Sequence, residues 1–199
     1  MKNVAGYDVS RLMTGAFGSL GVLLDISLKV LPAPRATRTL LVETDTRGAV
    51  ALFSRLRRRP LPLAGAAWVD GLAHVRLAGS AAAVEAGTRE LASTHETKAV
   101  GDDDDHAFWT GLRDHRLPFF DAERPLSRLS VAPARRPLEL PGPCLIDWAG
   151  GQRWLKTDAD LAQVRGVARS LGGHATRFRA GAAHGGTPVT SGTSDVFHP

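Results

Sequence analysis

The stretch "LAGAAWVDGLAHVRLAG", residues 63–79, decides how the rest of the chain is read. "LAGAAWVDG" and "HVRLAG" read as two strands. Asp70-Gly71 between them is a hairpin signal, because both residues tolerate the positive φ that a tight turn demands. Upstream, "TRTLLVET" (37–44) reads as a strand. "TRGAVALFSRLRRRP" (46–60) follows as a helix, with Ala49, Leu52, Phe53 and Leu56 at i, i+3, i+4 and i+7. Downstream, "SAAAVEAGTRELAST" (80–94) reads as a second helix capped by Ser80, with Ala83, Val84 and Leu91 on one face. "ETKAVG" (96–101) is a short candidate for a closing strand. Strand, helix, strand, strand, helix, strand is the order of a ferredoxin-like α+β unit.

The remaining chain continues in the same α+β style. "DDDDHAFWTGLRDHR" (102–116) is a helix entered through acids, which suits the positive end of the helix dipole. "LSRLSVAP" (126–133) and "PCLIDWAGGQRWLKT" (143–157) supply strands, the latter turning at Gly150-Gly151. "DADLAQVRGVARSLGG" (158–173) is an amphipathic helix, and the strand "HATRFRA" follows it. No internal repeat is visible in the residues themselves. The final "GAAHGGTPVTSGTSDVFHP" has no periodicity and is expected to be a flexible tail, 183–199.

Before the first strand lies "MKNVAGYDVSRLMTGAFGSLGVLLDISLKV" (1–30). Asp8 to Met13 suits a short helix with Asp8 as N-cap and Gly15 as its terminal glycine. "VLLDISLKVLP" alternates, with Leu24, Ile26, Leu28 and Val30 on one face, and predicts a strand that Pro32 and Pro34 stop. The "PAPRA" stretch is the expected domain boundary. Between helix and strand sits "GAFGSLGV", whose Gly15, Gly18 and Gly21 allow positive φ and let backbone N–H groups approach a ligand. The spacing is neither the G-x-G-x-x-G of a dinucleotide fold nor a P-loop, so taken alone it reads as a plain tight loop between helix and strand.

Composition narrows the classes. The 199 residues include one cysteine, Cys144, which excludes an internal disulfide framework and a cysteine-rich metal site. The expectation is a soluble cytoplasmic protein without a transmembrane segment or signal peptide. The net charge of +5 is carried by arginine clusters that are not interleaved with aromatics, so no nucleic-acid partner is expected. Asp102 to Asp105 beside His106 lack the alternation of a calcium loop and read as a solvated helix start, so no metal is expected. His106, His115, His174 and His184 are scattered, and no G-x-S-x-G elbow supports a hydrolase. Cys144 reads as a small apolar core residue. Phe108, Trp109, Phe119 and Phe120 read as core, with a flavin-facing or partner-facing patch as the alternative.

The N-terminal residues carry a resemblance. "GYDVSRLMTGAFGSLGVLLDISLKVLPAP" is similar to the end of the FAD-binding domain in the vanillyl-alcohol-oxidase/PCMH family of FAD-linked oxidases, with Ala16-Phe17 standing where Ser-Glu is commoner. "FWTGLRDHRLPFF", "RLSVAP", "IDWAGGQRWL", "GGHATRFRAG" and "VFHP" resemble the FAD-binding subunit of bacterial glycolate oxidases within that family. The resemblance implies an α+β chain in two parts: residues 1–34 as the C-terminal remnant of a PCMH-type FAD domain, and 35–182 as a ferredoxin-like cap. It further implies that Gly15, Gly18, Ser19, Gly21 and Val22 contact FAD. The implied reaction is oxidation of glycolate, a 2-hydroxy acid, to glyoxylate, with the catalytic base unassigned. A sister FAD-linked subunit and an iron–sulfur subunit are the implied partners, with peripheral placement at the inner membrane through them. The family's upstream FAD-binding strands have no counterpart here, so a fragment with weakened FAD binding is the expectation. The alternative is a non-catalytic interaction subunit that docks to partners without flavin.

Overall fold

The computed structural model describes residues 8–121 and 124–181. The chain divides into two compact units, residues 1–33 and 34–199. The expected tail, with His184, lies outside the described residues.

In the first unit, α1 (Val9–Met13) is capped by the Asp8 carboxylate, which accepts from Arg11 N–H at 3.1 Å. Gly15 follows at φ +80°, the left-handed turn that ends a helix. The strand expected over residues 22–32 does not form: no residue from Gly21 to Ala33 is in regular structure, and Leu24, Ile26, Leu28 and Val30 are all exposed. Alternation marks which side chains share a face, but a strand exists only where a second strand takes its ladder hydrogen bonds. The described residues of this unit offer none.

The second unit is built on one eight-stranded sheet whose neighbouring strands pair antiparallel. Its elements run β1 (Ala36–Glu43), α2 (Thr46–Leu56), β2 (Leu63–Val69), β3 (Leu72–Gly79), α3 (Ala81–Ala92) and β4 (Lys98–Ala99). After these come α4 (Asp102–Arg113), β5 (Leu126–Ser130), β6 (Cys144–Asp147), β7 (Gln152–Lys156), α5 (Leu161–Ser170) and β8 (His174–Arg179). The hairpin turns at Asp70 (φ +49°) and Gly71 (φ +86°), and the Ser80 hydroxyl caps α3 by accepting from Ala83 N–H. The two-residue β4 falls inside "ETKAVG".

Strand order across the sheet is β4-β1-β3-β2-β6-β7-β5-β8. The first four strands stand in the 4-1-3-2 order of a ferredoxin-like unit. Counted from β5, the second four repeat that order in mirror sequence along the sheet, so the sheet is two such halves joined edge to edge through β2 and β6 (Trp68 opposite Ile146). This corrects the expectation of no internal repeat: the repetition lies in topology. It hides in the residues because the second half replaces its first crossover helix with the Pro-rich segment 131–143, which has no regular structure. Arg153, fully buried on β7, holds that segment by donating to the backbone carbonyls of Arg135 (2.6 Å) and Arg136.

The two sheet faces differ. On one, α2 and α3 pack Val50, Phe53, Val84 and Leu91 over Leu40, Val75, Leu77 and Ile146, while α5 packs Val164 and Ala168 over Leu129 and Leu155. On the other, α4 and the 3-10 turn Pro118–Phe120 cover Ala67, Leu126, Leu145 and Trp154 with Leu112, Phe119 and Phe120. Between β6 and β7 the chain makes a 3-10 turn at Trp148–Gly150, with Trp148 and Ala149 both at φ +51° and Gly150 at φ +99°. A Cβ on Gly150 would lie 2.4 Å from the Pro133 carbonyl oxygen. Gly150→Ala is therefore expected to cost about 1–3 kcal/mol, from strain and collision together. A denaturation midpoint unchanged from wild type would contradict this account of the turn.

Candidate functional site

A pocket of about 700 Å³ opens on the face that α4 only partly covers. It sits over the junction of the two halves. Leu63 to Ala66 of β2 and Arg76 of β3 line it from one half; Arg128, Asp147, Trp148, Gln152, Trp154 and Phe178 line it from the other. Trp109, Arg113 and His115, from α4 and the turn after it, and Arg57 complete the wall.

A buried polar network fixes one side. The Asp105 carboxylate accepts from the Thr39 hydroxyl and from Arg76 Nη2 (3.0 Å), and Trp109 Nε1 donates to Thr39 Oγ1 at 2.9 Å. The Arg76 guanidinium lies 5.8 Å from the Trp109 ring centre. Asp105 is thus not a solvated member of the acidic run. It shares the sheet-facing stripe of α4 with Trp109 and Leu112, at i, i+4 and i+7, and that spacing was the signal available in the sequence. Its three acidic neighbours are exposed.

Next to this network His74 stacks on Phe108, with ring centres 3.5 Å apart and planes 5° from parallel. Burial lowers the His74 pKa to about 4, and its Nδ1 has no hydrogen-bond partner among the described residues.

The opposite side carries the unpaired charge. Arg128 Nε donates to Gln152 Oε1 at 2.7 Å, and its guanidinium lies 5.6 Å from the Trp148 ring centre. Among the described residues no carboxylate pairs with Arg128 or Arg57, whereas Arg113 is held by Asp114 and Arg76 by Asp105. Burial raises the Asp147 carboxyl above its usual range, against the N–H that Trp148 donates to it at 2.6 Å. His115 has φ +55°, and its ring lies about 5 Å from those of Phe120, Trp154 and Phe178. Desolvation, with Arg179 and Arg128 nearby, holds its pKa below the ordinary histidine value. The pocket can therefore hold an anion against flat apolar walls.

The other residues singled out in the sequence fall elsewhere. In the first unit Gly15 and Gly18 have left-handed φ, and a Cβ at either position would meet nothing within 4 Å; Gly21 faces only Met13, and Val22 is exposed. The Ser19 hydroxyl donates to the Ala16 carbonyl at 2.6 Å. Phe119 and Phe120 are core, while Trp109 lines the pocket. Cys144 packs against the core, and burial pushes its thiol up to about 12, so it is no nucleophile at neutral pH. His174 lies on β8 and is exposed.

No family model matches the chain. Over 181 residues, 91% of the chain, it is 44% identical to the glycolate oxidase subunit GlcE of Escherichia coli. The chain is related in sequence to GlcE-type glycolate oxidase subunits. It spans about half of the length of that relative, 49%. A shorter match, 40% identical over 50 residues, is to the glycolate oxidase subunit GlcD of Bacillus subtilis. No helix among the described residues is long and apolar enough to cross a membrane.

Two consequences of the polar face are measurable. Asp105→Ala leaves the partly buried Arg76 guanidinium and the Thr39 hydroxyl without their acceptor, and is expected to cost about 1–3 kcal/mol in urea unfolding. The His74 shift has a defined sign. Between pH 6.5 and about 4 the unfolded chain binds a proton at this site that the folded chain refuses. Its contribution to stability is therefore complete above pH 6.5 and lost as pH falls to about 4. His74→Phe, which keeps a ring on Phe108, is expected to flatten unfolding free energy against pH in that window; an unchanged slope would refute the assignment.

Proposed function

We propose that this chain serves as a FAD-binding subunit in the oxidation of a 2-hydroxy acid, glycolate to glyoxylate. The observation that carries the reading is the 44% identity to a glycolate oxidase subunit across 91% of the chain. Residues 1–34 are assigned as the C-terminal part of a PCMH-type FAD domain and 35–182 as its cap.

The glycine loop fits one wall of a flavin site. Of the backbone N–H groups of Gly15 to Val22, only those of Ala16 and Ser19 donate to backbone carbonyls among the described residues, which leaves those of Gly18, Leu20, Gly21 and Val22 among the available ones. Gly15 and Gly18 are open on the side where a side chain would stand, so oxygens of a diphosphate can reach the backbone there. Val22 offers an exposed apolar contact. Ser19, its proton already given to Ala16, can only accept. When bound, FAD supplies the two-electron acceptor for the hydride that leaves the substrate's α-carbon. A sister FAD-linked subunit and an iron–sulfur subunit belong to the same proposal.

Titration of the chain with FAD, followed by flavin fluorescence and the visible band, tests the assignment. Gly18→Val closes the open side and strains a left-handed position, and is expected to weaken FAD binding roughly tenfold or more. If the chain binds no FAD, the interaction-subunit reading replaces this one.

A further inference from the structure

We propose that the junction pocket binds an aromatic carboxylate, with the carboxylate on Arg128 and the ring between the indole and phenyl walls. This rests on the pocket alone and not on the flavin assignment. Four observations converge there.

Size comes first. At about 700 Å³ the cavity lies within the roughly 300–1,000 Å³ typical of sites for drug-sized ligands, far more room than a two-carbon acid fills. Charge comes next. Arg128 has one guanidinium N–H on Gln152 and its remaining donors unclaimed among the described residues, and Arg57 also lines the pocket without a carboxylate partner among them. An Arg fork with free N–H groups matches a carboxylate's two oxygens.

The third observation is an orphan donor. Trp154 is 1% exposed and lines the pocket, yet its Nε1 has no acceptor among the described residues. A buried indole N–H normally finds a partner, and a ligand oxygen would provide one. The fourth is Trp148, a residue 64% exposed although its ring sits beside the Arg128 guanidinium. Consecutive left-handed positions at Trp148 and Ala149, each unfavourable for a residue with a side chain, are what present it there. With Phe178 and Trp109 on the same walls, the pocket offers flat apolar surface on several sides of a cationic centre.

The probe is 3-phenyllactate, compared with lactate (carboxylate without ring) and 3-phenylpropanol (ring without carboxylate). Binding to the whole chain is read by intrinsic tryptophan fluorescence and by calorimetry. 3-Phenyllactate is expected to bind roughly tenfold or more tighter than either comparison compound. Arg128→Gln should weaken 3-phenyllactate by roughly tenfold or more while leaving 3-phenylpropanol unchanged. Arg128→Lys should fall between, since it keeps the charge and loses the fork. Trp154→Phe keeps the ring, removes the N–H, and should weaken 3-phenyllactate several-fold. The far-UV circular dichroism of each variant must match wild type. If Arg128→Gln fails that check, Arg57→Gln, an exposed position, replaces it and should lower 3-phenyllactate affinity alone. Equal affinity for 3-phenyllactate and lactate, or an affinity indifferent to the arginine substitutions, would overturn the proposal. A chain that binds FAD but not 3-phenyllactate refutes this inference and spares the flavin reading; the converse result does the opposite.

Discussion

Everything in the second unit depends on the seam between β2 and β6. Each ferredoxin-like half carries one strand at its inner edge, and an unpaired edge must find a partner or water for its backbone groups. Here the two inner edges take each other, with Trp68 opposite Ile146, and Ile146 buries into the core that α2 and α3 make for the first half. Trp68 Nε1 donates to the Thr44 carbonyl at 2.7 Å, so the seam is also tied back to the turn after β1. Eight strands then share one sheet, and one face of it carries three of the four long helices among the described residues, α2, α3 and α5.

The same seam makes the pocket. The described β2–β6 register holds one pair, and on one side of it stand Leu63 to Ala66, facing Asp147 to Ala149 across the cavity. Among the described residues α4 is the only long helix on the opposite face, and it lies toward the first half, where Asp105 and Trp109 pin it to Thr39 and Arg76, so it leaves this opening uncovered. The two halves contribute different chemistry: Arg76 of the first is neutralised by a buried carboxylate, while Arg128 of the second, like Arg57 at the end of α2, has no carboxylate partner among the described residues.

How far this was legible in the residues follows from the range of the interactions involved. The first half is written locally: two-residue alternation on either side of Asp70-Gly71, a 3.6-residue period over 46–56, and Ser80 three residues before the N–H it caps. The second half obeys the same plan, but a pinned loop stands where a helix is expected, so the repeat became visible only through strand order. The segment 22–32 shows the opposite failure. Its alternation is as clean as any in the chain, yet pairing is a property of two segments, and a pattern in one cannot supply the other.

The pocket was illegible for a related reason. Its walls come from positions as distant as Arg57 and Phe178, and although several lie in the segments that carry the family resemblance, nothing in their spacing shows that they meet. Asp105 is the instructive exception. Within a run of four like charges it alone falls on the stripe that faces the sheet, and burial gives it a different role from the three beside it. A charge run is read as solvent-facing because most of its members are. The member that shares helical register with Trp109 and Leu112 has to be judged with them, and through Arg76 it sets which guanidinium in the pocket is already paired and which remains free to bind.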